Sequence, residues 1–268
     1  DTIDYYDNVL GGITIDLAAQ TVSGGEATGD ILIAVEAVIG TKFNDTIRGS
    51  AQAQEIYGGL GDDQIWMSGG GDYIDAGEGK NDTLQLGLAT TGIEVDLALG
   101  TATGWDVYGE AVIGFENVVG SAHKDVLRGT DGTNSLFGMG GNDQIAGGSG
   151  SDWLYGGDGN DNLNGGSEKD VLYGGAGNDL LIGGAGDDIL WGEAGADRFQ
   201  FRTGYGSDVV GDFTDGVDRI RLLGSTWSDV GLVGTAEGTL VTIAGAGETL
   251  FLKGVDVSLV SQSDFIFV

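Results

Sequence analysis

Between Gly120 and Gln200 the apolar positions recur at every ninth place: Leu127, Leu136, Ile145, Leu154, Leu163, Leu172, Leu181, Leu190 and Phe199. Each is the eighth residue of a nonapeptide, as in GGSGSDWLY, GGDGNDNLN, GGSEKDVLY, GGAGNDLLI and GGAGDDILW. The last three residues of each nine place one apolar side chain between two that face the other way, which predicts a short strand. The Gly-rich six before it predict a tight turn, because glycine adopts backbone angles closed to other residues. Two nonapeptides make one coil of turn, strand, turn, strand. Each turn then stacks on the turn two repeats away, at the usual strand spacing of about 4.8 Å. A flexible Gly-rich linker would not need an apolar residue at every ninth position.

The same pattern begins earlier in weaker form. GTKFNDTIR, GSAQAQEIY, GGLGDDQIW, MSGGGDYID and AGEGKNDTLQ run from Gly40 to Gln85, with Gln54 in place of the sixth-position Asp. The two halves align at an offset of 80: ITIDL (13–17) with IEVDL (93–97), and VEAVIGTKFNDTIRG (35–49) with FENVVGSAHKDVLRG (115–129). This predicts a tandem duplication, each copy with a lead-in of short strands continuing the coil as wider rungs. The expected divisions are 1–82, 83–200 and 201–268. The last should be a small β cap over the open end of the stack, with Thr239–Gly254 a hairpin around Ala244–Gly247. Asp1-Thr2-Ile3 resembles Asp82-Thr83-Leu84, so the chain is expected to be a fragment that starts inside a repeat.

Composition turns this pattern toward metal chemistry. The 268 residues carry 42 acidic against 11 basic side chains, a formal net charge of −31. That excludes nucleic-acid binding through a basic face and predicts self-repulsion without counter-cations. The sixth position is Asp in every nonapeptide from Gly120 except at Asn134. Carboxylates and turn carbonyls are hard oxygen donors. An ion midway between stacked turns would meet them at a spacing that suits calcium, which takes 6–8 oxygens at about 2.3–2.6 Å, better than magnesium. With no Cys and one His, a soft-metal site is not expected. No apolar run is long enough for a transmembrane helix.

The perfect nonapeptides, the GSAHKDVLRG motif, SDVVGDFTDGVDRI and the terminal DFIFV together resemble the C-terminal regions of RTX proteins, over nearly the whole chain. This resemblance implies an all-β, right-handed parallel β-roll (β-helix) with two nonapeptides per coil. It also implies type I secretion through an ABC transporter, with Asp264–Val268 as an uncleaved signal, and folding on extracellular calcium. The implied ligands are the second and fourth carbonyls and the sixth Asp of one turn, with the first and third carbonyls of the stacked turn and often its fifth side chain.

Carried over by position, this gives one ladder of sixth residues through Asp125, Asp143, Asp161, Asp179 and Asp197 and another through Asn134, Asp152, Asp170 and Asp188. The turns contributing carbonyls or fifth side chains are Gly138, Gly140 and Asn142; Gly147, Gly148, Ser149 and Gly150; Gly156, Gly157, Asp158, Gly159 and Asn160; Gly165, Gly166 and Ser167; Gly174, Gly175, Ala176, Gly177 and Asn178; Gly183, Gly184, Ala185, Gly186 and Asp187. The first array adds Asp45, Asp63 and Asp82 on one side and Asp72 on the other. Asp208 and Asp212 are candidates for a last site. Roughly 6–10 calcium ions are expected. Glu168, Lys169 and Asn134 depart from the pattern and should weaken their sites.

No catalytic residues are expected. His123 follows no HExxH, and there is no GxSxG and no thiol. The ninth positions Phe137, Tyr155, Tyr173 and Trp191 form an aromatic ladder on one sheet. Such a face implies a partner: the chain's own cap, a second copy, or a glycan. The expected function is a secreted, calcium-dependent folding module of a larger exported protein. The alternatives are an adhesive or S-layer-like surface module and an accessory module of a secreted hydrolase.

Overall fold

The computed structural model describes residues 1–8, 10–104, 107–245 and 247–268. Backbone contacts divide the chain into two compact units, Asp1–Gly129 and Thr130–Val268. Each is all-β; among the described residues, helical turns occur only at Gly25–Ala27 in the first and Trp227–Asp229 and Gln262–Asp264 in the second.

The second unit is a parallel β-solenoid. In one sheet Ser135–Gly140, Trp153–Asp158, Val171–Ala176 and Ile189–Ala194 pair in parallel, each in register with the strand two nonapeptides on. In the other, Gln144–Ser149, Asn162–Ser167, Leu180–Ala185 and Arg198–Arg202 do the same. The full coil strands are longer than the three positions that the alternation predicts. They run on through the first three residues of the next nonapeptide, because the first glycine also points inward. Leu154 and Gly156 are both buried while Trp153 and Tyr155 face out. The core is therefore a column of eighth-position side chains. Leu136, Leu154, Leu163, Leu172, Leu181, Leu190 and Phe199 are fully buried.

After Arg202 the coils become irregular. Asp208–Val210 pairs in parallel with Ile189–Ala194, and Arg219–Leu223 with Arg198–Arg202. Val230–Gly234, Gly238–Ile243 and Thr249–Lys253 form an antiparallel meander, which joins the first sheet through Asp208–Val210. The expected hairpin is present in the last two strands. Its expected tip includes Ala246, which lies outside the described residues. Phe265–Phe267 adds to the other sheet beside Arg219–Leu223.

The first unit is built on the same coil. Its parallel pairs join Ala37–Ile39, Glu55–Leu60 and Tyr73–Glu78 on one side, and Thr46–Arg48, Gln64–Trp66 and Thr83–Gln85 on the other. The lead-ins are only partly rungs. Thr14–Asp16 pairs in parallel with Thr46–Arg48, but its other neighbour, Thr21–Ser23, is antiparallel. Ile93–Asp96 repeats this between Val126–Arg128 and Thr101–Gly104. The lead-ins thus fold back as hairpins instead of widening the coil, because too little chain separates each strand pair for a parallel crossover.

Candidate metal centre

Each Asp ladder is held by its own backbone. In the second unit the N–H groups of Asp143, Asp161 and Asp179 donate to the Oδ1 atoms of Asp161, Asp179 and Asp197, at 2.7–2.9 Å. On the other side the N–H groups of Asn134, Asp152 and Asp170 donate to Asp152, Asp170 and Asp188, each at 2.8 Å. This fixes each of these carboxylates against the turn two nonapeptides before it and uses one of its two oxygens. The Oδ2 atoms of Asp152, Asp161, Asp170, Asp179 and Asp188 are buried and accept no hydrogen bond. A buried polar atom left so costs on the order of 1–3 kcal/mol, more when charged. Burial accordingly pushes the carboxyl pKa up, to about 7 at Asp170 and Asp197 and about 6 at Asp152, Asp179 and Asp188.

Backbone carbonyls converge on the same spaces. A side chain on Gly156 would begin 2.5 Å from Asp161 Oδ2 and 2.4 Å from the carbonyl oxygen of Gly174 in the stacked turn. From below, the carbonyls of Gly157 and Gly159 point into that stacked turn, 2.1 Å and 1.6 Å from where side chains on Gly175 and Gly177 would begin. Gly175 has φ +107, so its lack of a side chain serves both the backbone angle and the approach of the carbonyl. The donor set is all oxygen: alternate carbonyls from two turns and one under-coordinated carboxylate. It fits a hard divalent cation of calcium's coordination number. Among the described residues no three His, Cys, Asp or Glu side chains cluster, so most donors to an ion here would come from the backbone.

The fifth positions add a third row. Asn142 Oδ1 accepts from Asn160 N–H, Asn160 from Asn178 and Asn178 from Ala196, at 2.8–2.9 Å. Asp187 accepts from Ser207 N–H. Lys169 has no acceptor to offer in this row. Glu168, at φ +75 where the repeat has glycine, instead sends its carboxylate to the N–H of Gly150. Gly140, Gly147, Gly148, Gly150, Gly165, Gly166, Gly183, Gly184 and Gly186, with Ser149, Asp158, Ser167, Ala176 and Ala185, occupy the equivalent places in their turns.

In the first unit Asp63, Asp72 and Asp82 likewise have buried, unpartnered Oδ2 atoms. Asp45 and Asp125 are different. Asp45 accepts from the N–H of Ile13 and from both the N–H and the hydroxyl of Thr41. Asp125 accepts from Ile93 N–H and from the N–H and hydroxyl of Ser121. In these two turns the second-position hydroxyl, Thr41 or Ser121, caps the turn's own carboxylate, whereas Ser68, at the same place before Asp72, donates to the carbonyl of Ser50 and leaves Asp72 unsatisfied. Of the two late candidates, Asp208 enters the ladder, accepting from Asp188 N–H at 3.0 Å. Asp212 accepts instead from Gly192 and Glu193. The sequence reading missed Asp218, which accepts from Asp197 N–H at 2.9 Å. Asp218 falls out of step with two nonapeptides after Asp197, so the nine-residue count passes over it.

Phe137, Tyr155, Tyr173 and Trp191 stack face to face, with centroid separations of 4.5, 5.0 and 6.4 Å and planes within 11°. The end of the row is held within the unit. Trp191 packs over Gly211, and Lys253 Nζ lies 5.7 Å from its ring centroid.

A family profile described as the RTX calcium-binding nonapeptide repeat matches four stretches of the chain, 39–74, 119–154, 137–172 and 164–199. These stretches are RTX calcium-binding nonapeptide repeats. All the under-coordinated aspartates named above except Asp82 lie in the matched stretches, and the repeat roll is a structural calcium-binding domain.

Among solved structures, the chain is similar to the extracellular lipase LipA of Serratia marcescens, at 19% identity and a TM-score of 0.30. That match covers 87% of this chain and 40% of the lipase, so the chain spans well under half of the lipase's length. It is also similar to the AlgE6R3 subunit of the Azotobacter vinelandii mannuronan C5-epimerase, at 24% identity and a TM-score of 0.22, over 55% of this chain and 80% of the subunit. No curated protein sequence matches the chain.

Proposed function

We propose that this roll is the calcium-gated folding module of a larger protein exported by a type I system. The observation that carries the reading is the row of buried carboxylate oxygens without partners, each beneath converging carbonyls. Without a cation these groups oppose folding. With one they are the ligands that hold coil to coil, so binding and folding are a single event. Cytosolic calcium is scarce and extracellular calcium abundant, so the chain would stay open inside the cell and close outside. The turns of Asp143, Asp161, Asp179 and Asp197, and those of Asp152, Asp170 and Asp188, would hold the ions. The first array would hold fewer, since Asp63, Asp72 and Asp82 have a free oxygen but Asp45 and Asp125 do not. Residues 201–268 close the stack, and Asp264–Val268 doubles as its last strand and the export signal. The aromatic row is an internal clamp rather than a glycan platform, because its ring faces are covered by one another.

Two measurements test this. Circular dichroism of the full chain with chelator and with millimolar calcium should show a coil-to-β transition; a roll equally folded in chelator at neutral pH refutes calcium gating. Removing Asp264–Val268 should abolish export by a type I transporter while leaving calcium binding intact. Undiminished export refutes the signal assignment.

A further inference from the structure

Among the described residues of the first unit, one buried carboxylate is not accounted for by the nonapeptide pattern. Glu110 lies on the strand Val107–Ile113, after the repeats of the first array have ended. That strand pairs in parallel with Tyr73–Glu78, with Ala111 opposite Tyr73. Glu110 therefore stands over Asp72, in the place where a further repeat would put its sixth-position Asp. It arrives there by way of an insertion, far later in the chain than the two nonapeptides that separate other ladder neighbours.

The local geometry copies the ladder. Asp72 Oδ1 accepts from Gln54 N–H at 2.9 Å, as each ladder Asp accepts from the turn before it. Glu110 Oε1 accepts from Gly71 N–H at 3.2 Å, and the N–H of Asp72 donates to the same carboxylate. Asp72 Oδ2 and Glu110 Oε2 are both buried without a hydrogen-bond partner, in residues only 4% and 2% exposed. Among the described residues neither carboxylate has a lysine or arginine beside it. Two adjacent buried carboxylates with free oxygens and no cationic side chain call for an external cation or a proton. The extra methylene of glutamate suits a carboxylate that arrives on an inserted strand rather than on a repeat turn. Space around Gly71 is open, with no atom within 4 Å of where a side chain would begin, so water oxygens have room beside the pair.

We propose that Asp72 and Glu110 form a calcium site that closes the second ladder of the first unit, with Glu110 standing in for the missing repeat aspartate. This rests on the ladders binding calcium as proposed above.

The test counts ions on the full chain by equilibrium dialysis with radiolabelled calcium. Glu110→Gln and Asp72→Asn should each bind one ion fewer than the wild type. Asp30→Asn, at the exposed position that aligns with Glu110 in the first copy of the duplication, should bind the full number. An unchanged count for Glu110→Gln, with its calcium-free form stabilised, means that the pair shares a proton and overturns the site. If Glu110→Gln does not fold in calcium, Glu110→Asp keeps the charge on a shorter arm. It should weaken one ion at least tenfold, and a binding curve identical to wild type overturns the site. A wild-type chain that binds no calcium would instead refute the function of the ladders as a whole.

Discussion

Acid should take the place of calcium. In the second unit, burial raises the pKa of Asp170, Asp197 and Asp208 to about 7 and that of Asp152, Asp179 and Asp188 to about 6. An aspartate in the unfolded chain titrates near 3.9. The folded state therefore holds protons that the unfolded state has released. In chelator, stability from these groups is fully present below about pH 4 and is lost as the pH rises through 6 to 7. Each carboxylate loses on the order of 3–4 kcal/mol over that span. Discounted about threefold for relaxation and water entry, six of them still remove on the order of 6–8 kcal/mol, comparable to the whole stability of a domain.

The assay is far-ultraviolet circular dichroism in chelator from pH 4 to 8. The expected result is β-structure at pH 5, loss with a midpoint between 6 and 7, and recovery at pH 7.5 on adding calcium. High sodium chloride should not restore it at pH 7.5, since screening the surface charge leaves the buried carboxylates ionised. A midpoint near 4 would mean that ordinary surface acids control folding. A roll folded in chelator at pH 7.5 would mean that the ladders carry no such penalty. Either result refutes the reasoning.

Further consequences concern packing. Leu172→Ala removes a fully buried eighth-position side chain and should cost about 2–5 kcal/mol in the calcium-loaded roll, read as a shift in denaturant midpoint. Gly175→Ala places a methyl group 2.1 Å from the carbonyl of Gly157 at φ +107, whereas Gly204→Ala, at φ +91, meets nothing within 4 Å. The first should cost several kcal/mol and lower calcium affinity; the second should cost about 1–2 kcal/mol, the backbone strain alone. Equal effects on thermal stability would deny the close approach of stacked turns. Tyr173→Ala breaks two ring stacks and should cost about 1–3 kcal/mol beyond the area lost with no change in oligomeric state by sedimentation. Dissociation of an assembly would instead assign the ladder to a contact between copies.

The period of nine alone made the coil legible. Turn, strand, inward leucine and facing aspartate all lie within one nonapeptide, so local spacing dictates them, and the stacking of turn on turn follows from the repeat. Where the repeat lapses, sequence distance stops reporting spatial register. Glu110 and Asp218 both reach ladder positions out of step with the repeat, because strand pairing around an insertion, not counting, sets which carboxylate lies over which. The hairpins of the lead-ins belong to the same class. Their alternating short strands suit a rung or a hairpin equally, and only the available pairing edge decides. Tertiary structure also separated two kinds of aspartate that look alike in the sequence. Asp45 and Asp125 are satisfied by a hydroxyl and an N–H of their own turns, while Asp152, Asp161, Asp170, Asp179 and Asp188 keep a buried oxygen free. That free oxygen is what a cation needs, and its burial depends on the turn stacked above it.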